Sequence, residues 1–144
     1  MTTTATKSRP ILFSGPLVRA ILAGNKTQTR RVVKPQPVKN GKFWEVFGAG
    51  WSMDHGNVPC VPGHSLANNC PYGVPGDELW VRETWRPLCE FDPSPETGAA
   101  YWADSHAGLE RRNGDAKWRP SIHMPRWASR ITLTVKAVRV ERLQ

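Results

Sequence analysis

The sequence predicts an α+β chain made mostly of short strands, and three observations predict it. Two stretches alternate apolar and polar residues with the period of a strand: Glu78-Leu79-Trp80-Val81-Arg82-Glu83-Thr84-Trp85 and Ile131-Thr132-Leu133-Thr134-Val135. Ser14-Gly15-Pro16-Leu17-Val18-Arg19-Ala20-Ile21-Leu22-Ala23 carries helix punctuation. Ser14 or Gly15 can cap it, Pro16 suits its first turn, and Gly24 follows its end. Residues 34–75 are so rich in Gly, Pro and Asn that a long irregular insertion is expected there.

A chain of 144 residues is sized for one domain with one core. Its 39% hydrophobic and 22% charged residues are ordinary for a globular protein and leave no run able to span a bilayer. Residues 1–8 are Thr-rich, lack the apolar core of a secretory signal and read as a disordered lead-in, with the domain at 9–144 and a cytoplasmic location. The formal net charge is +8, and nine Lys or Arg precede Glu45 with no Asp or Glu among them, a field that attracts polyanions or merely confers solubility. Seven tryptophans belong in the core, at a binding surface, or both. Three cysteines fit free thiols better than a disulfide framework. His55, Cys60, His64 and Cys70 are zinc-ligand types, but their spacing matches no common finger, so no metal or other cofactor is expected.

In chain order, residues 9–13 read as a first strand with Ile11 and Phe13 on one face. After the helix, residues 29–33 are rich in β-branched residues and read as a strand, with Thr29, Arg31 and Val33 on one face and Arg30 and Val32 on the other. Lys34-Pro35-Gln36-Pro37 ends it. Within the insertion only residues 43–47 alternate, and Trp44, Phe47 and Trp51 are candidate anchors. Along residues 78–85, Leu79, Val81, Glu83 and Trp85 share a face opposite Trp80, Arg82 and Thr84. Glu83 on that apolar face requires an ion-pair partner, Arg31 or Arg82, or a solvated cleft. A short strand at 99–103, a polar loop at 105–117 and one helical turn around Pro125-Arg126-Trp127 follow. In the final strand the apolar phase slips after Lys136 to Val138 and Val140, suggesting a bulge. No internal repeat is expected.

The pattern Gly-x-Lys-x-x-Thr-x-Arg, filled by Gly24, Lys26, Thr29 and Arg31, resembles the signature of the ASCH domain, with threonine where glutamate is usual. Gly76-Asp77-Glu78-Leu79-Trp80-Val81-Arg82-Glu83-Thr84-Trp85 resembles the family's second signature strand. Most of the chain, including Trp118 to Trp127, is similar to ASCH proteins of bacteriophages and prophages. The resemblance implies a small PUA-like β-barrel with one or two short helices. Residues 34–75 are then an insertion, and the family's C-terminal helix and further strand lie beyond the similarity.

What the resemblance implies for function is a cleft that holds RNA or a modified nucleotide. Lys26, Arg30, Arg31 and Arg82 would meet phosphates, Glu83 would accept from an exocyclic amine, and Trp85 or Tyr101 would stack on a base. A second expectation is an amidohydrolase removing the acyl group from N4-acetylcytidine, with Lys26 as base, Thr29 as nucleophile and Glu83 standing in for a glutamate found later in relatives. A phage structural or morphogenetic component is a third. Oligomeric state is not legible.

Overall fold

The computed structural model describes residues 5–105 and 117–142, and in it most of the alternating segments are strands and the punctuated one is a helix. In chain order the elements are β1 (Ser8–Leu12), α1 (Gly15–Leu22), β2 (Val38–Asn40), β3 (Phe43–Val46), β4 (Ala49–Ser52), β5 (Asn57–Pro59), α2 (Ser65–Asn68), β6 (Glu78–Arg82), β7 (Trp85–Pro87), β8 (Ala99–Tyr101), β9 (Thr132–Thr134) and β10 (Arg139–Glu141). Short 3-10 turns lie at Trp102–Asp104, Ser121–His123 and Arg126–Ala128. The strands form sheets of order β1-β6-β9, β2-β3-β4, β5-β10 and β7-β8, and among the described residues these are not closed into a barrel. The chain divides into two compact units, one of Met1–Arg9, Arg30–Leu79 and Leu133–Gln144, the other of Pro10–Thr29 and Trp80–Thr132. Most of the polar loop expected at 105–117 lies outside the described residues.

The first unit contains the expected insertion, which is more regular than its composition suggests. Asn40 pairs with Phe43, leaving Gly41 (φ 59°) and Lys42 as a two-residue turn. Val46 pairs with Ala49, leaving Phe47 and Gly48 with φ of 52° and 76°, both in the left-handed region that the tightest hairpins require. A phenylalanine there is unfavourable by itself. It is held because its ring packs, with Trp51, Val33, Val58 and Val138, against a core of Val46, Cys60, Leu66 and Val140. The expected strand at 29–33 is not formed. β-branched residues favour a strand only where a ladder partner exists, and none is offered here among the described residues. The suspected bulge is instead a full interruption, with β9 and β10 separate.

One buried carboxylate ties the start of this unit together. Asp77 accepts from the Lys7 amide (3.0 Å), the Arg9 guanidinium (2.7 Å) and the Val74 amide (3.2 Å). Lys7, assigned by sequence to the lead-in, is therefore engaged, and its carbonyl also accepts from the Glu78 amide. The Lys7 amide first, then Arg9, holds the Asp77 carboxyl below its ordinary value, against the opposing effect of burial.

The second unit begins with α1, whose fully buried Val18 faces inward and whose Arg19 donates to the Ala103 carbonyl at 3.2 Å. The chain past Gly24 (φ 76°) is capped by Asn25 and Lys26 amides donating to the Ala20 carbonyl. The Phe13 amide donates to Arg82 O and the Val81 amide to Ile131 O. The strand expected over 78–85 breaks after Arg82 and resumes at Trp85; Leu79, Val81, Glu83 and Trp85 are buried as the alternation predicts, but Trp80 on the opposite face is buried too. Trp85 pairs with Tyr101 across β7 and β8, and sits with Met124 and Ala128 in a core flanked by Trp127.

Candidate nucleic-acid interface

Glu83 is 1% exposed, and its partner is Arg130, not Arg31 or Arg82. Arg130 Nε and Nη2 each donate to one Glu83 oxygen at 3.0 Å, while Nη1 and Nη2 donate to Asp104 at 2.7 and 3.0 Å. The same guanidinium lies 4.1 Å from the centre of the Tyr101 ring. Burial works against its charge, but the hydrogen bonds it donates to Glu83 and Asp104 outweigh that and push the Arg130 pKa above its ordinary value. Burial likewise pushes the Tyr101 phenol up, and its hydroxyl donates to Ala128 O at 2.8 Å. Glu83 thus anchors a closed network.

The other expected site residues are dispersed. The Lys26 ammonium donates to the Gln28 carbonyl and lies 5.9 Å from the Phe13 ring centre. Thr29 is exposed, and among the described residues no hydrogen bond links Lys26, Thr29 and Glu83. Arg30 Nε approaches Glu141 at 3.5 Å, and Arg31 is exposed; both belong to the first unit. Trp85 is 1% exposed and packs perpendicular to Trp127 at 5.6 Å, so it is a core residue with no face for a base. Tyr101 presents one face to Arg130 and is half-buried. For acyl hydrolysis, a base and a nucleophile must meet at one carbonyl. Here both Glu83 oxygens are occupied by Arg130 and the Lys26 ammonium by a backbone carbonyl.

What the second unit does assemble is a set of arginines stacked on tryptophans. Arg82 and Arg126 lie 4.8 and 5.6 Å from the centre of the same Trp80 ring. Arg82, two residues beyond Trp80 on β6, shares its face by alternation, and the turn Arg126–Ala128 brings the second guanidinium. Among the described residues neither has an acidic partner. A third group comes from a short repeat that went unnoticed in the sequence. Trp85-Arg86-Pro87 and Trp118-Arg119-Pro120 meet as an antiparallel bridge, with Arg119 N donating to Trp85 O at 2.7 Å and Trp85 N to Arg119 O at 3.2 Å. Each arginine then lies over the other tripeptide's tryptophan, Arg119 over Trp85 and Arg86 over Trp118, both at 5.3 Å. Trp102 meets Trp118 edge-on at 5.3 Å. Trp80, Arg86, Trp118, Arg119, Arg126 and Arg130 were absent from the sequence-based site. For Arg86, Trp118, Arg119 and Arg126 the signal was present as Trp–Arg neighbours at 85–86, 118–119 and 126–127.

Comparison with protein-family models, curated proteins and solved structures finds no match.

Proposed function

We propose that the protein is a PUA-like module that binds single-stranded RNA through its second unit, with Arg82 and Arg126 as the principal contacts. The observation that carries this reading is the Trp80 ring with two guanidinium groups against it and, among the described residues, no carboxylate paired with either. Stacking on an indole fixes a guanidinium plane while leaving its N–H groups free to donate. Arginines held in this way suit a flexible polyanion, because they meet phosphates and also offer flat surfaces to unpaired bases. The net charge of +8 supports the same partner class through long-range attraction.

The test is binding of a labelled single-stranded RNA oligonucleotide over a series of salt concentrations. The double variant Arg82→Ala/Arg126→Ala should bind at least about tenfold more weakly than the unaltered protein at low salt. Equal affinity for both proteins would refute the assignment.

A further inference from the structure

A second site lies at the far tripeptide of the reciprocal Trp-Arg-Pro clasp. Glu90, Lys117, Trp118, Arg119, Pro120 and His123 line an open concavity of about 410 Å³ with mainly apolar walls. That volume is within the range of small-ligand pockets, roughly 300–1,000 Å³. Its floor is fixed: Arg86 lies over Trp118, Trp102 abuts it edge-on, and Arg119 is held by Trp85 and by Glu90 at 2.8 Å. The polar groups are unequally committed. Arg119 and Glu90 satisfy one another, whereas Lys117 and His123 make no ion pair among the described residues.

We propose that this concavity binds a nucleoside monophosphate. The ring would pack against Trp118 and Pro120, and the phosphate would accept hydrogen bonds from Lys117 and His123. The chemistry of the lining selects this class. A mostly apolar wall with an indole favours a planar ring. Lys117 and His123, which make no ion pair among the described residues, can both donate hydrogen bonds to an anionic group. A flat ring carrying an anionic group matches this lining. Neither Arg82 nor Arg126 lines the concavity, and the proposal does not rest on the RNA reading.

The experiment is isothermal titration of the whole protein with adenosine 5′-monophosphate, adenosine and inorganic phosphate. The nucleotide should bind at least about tenfold more tightly than either fragment. Lys117→Ala/His123→Ala should remove that advantage, and Trp118→Phe should weaken the nucleotide and adenosine alike. Arg82→Ala/Arg126→Ala should leave nucleotide binding unchanged while RNA binding falls. The proposal is overturned by nucleotide affinity no better than that of phosphate. It is equally overturned if the nucleotide does not bind, or if Lys117→Ala/His123→Ala binds it as well as the unaltered protein. Loss of RNA binding alone would leave it standing.

Discussion

Arg130 and Glu83 are joined by two parallel hydrogen bonds of 3.0 Å, and the carboxylate is 1% exposed while the guanidinium side chain is 23% exposed. Removing the arginine leaves a buried carboxylate without its cation, which costs far more than the pair itself contributes. Arg130→Ala should therefore destabilise the fold by about 3 kcal/mol, at the low end of the usual range because the pair reaches solvent on one side. Arg130→Met with Glu83→Leu should recover most of that loss. Urea unfolding midpoints decide it, and a double variant no more stable than the single would contradict this account.

Tyr101 supports the same network more weakly. Its hydroxyl donates to Ala128 O at 2.8 Å, so Tyr101→Phe should cost about 1 kcal/mol in the same urea measurement. A cost equal to that of Arg130→Ala would show that the phenol carries more of the unit than its single bond implies.

Asp77 sets an acid limit. Its folded pKa lies below its ordinary 3.8, so its stabilising effect is complete above that value and is lost as pH falls through the lower, folded one. Stability of the unaltered protein should fall more steeply below pH 3.8 than that of Asp77→Asn, which lacks the titrating group. Parallel acid limbs in denaturant titrations would dismiss this linkage.

Gly73 lies against the same carboxylate with φ of 87°, and a Cβ there would come within 2.5 Å of Asp77 Oδ2 and 2.6 Å of Arg9 Nη1. Gly73→Ala should cost at least about 2 kcal/mol, from backbone strain together with displacement of the ion pair. An unchanged melting temperature would mean that both groups relax freely.

Cys60 is 3% exposed, and burial pushes its thiol up, with Cys70 adding to the shift. Of the three free cysteines, Cys70 and Cys89 should react with a thiol reagent in the native protein, and Cys60 mainly after unfolding. Mass spectrometry of partly labelled protein reads the order directly.

Local signals carried the parts of the fold that depend on neighbours in sequence. Ser14, Pro16 and Gly24 marked α1 almost to the residue, and alternation placed Val81, Glu83 and Trp85 inside. The β-branched run at 29–33 misled because a strand needs a partner, and pairing is decided elsewhere in the chain. The hairpin at Phe47-Gly48 was hidden by an aromatic residue where asparagine or glycine is usual. The Gly41-Lys42 turn, by contrast, carried its glycine openly and was passed over among many Gly and Pro residues. For the site, the need for a cation beside Glu83 was legible, but its identity was not. Arg130 lies 47 residues away, and nothing local distinguishes it from the other arginines. The reciprocal stacking of the two Trp-Arg-Pro tripeptides was likewise invisible until β7 and residue 119 met.

The hydrogen bond from the Lys7 amide to Asp77 bears on how the gene is handled in the laboratory. Because the bond uses main chain, any residue but proline at position 7 preserves it, whereas a start codon moved past that point discards it. Purification tags belong upstream of Thr6 with a flexible spacer, and trimming should stop there.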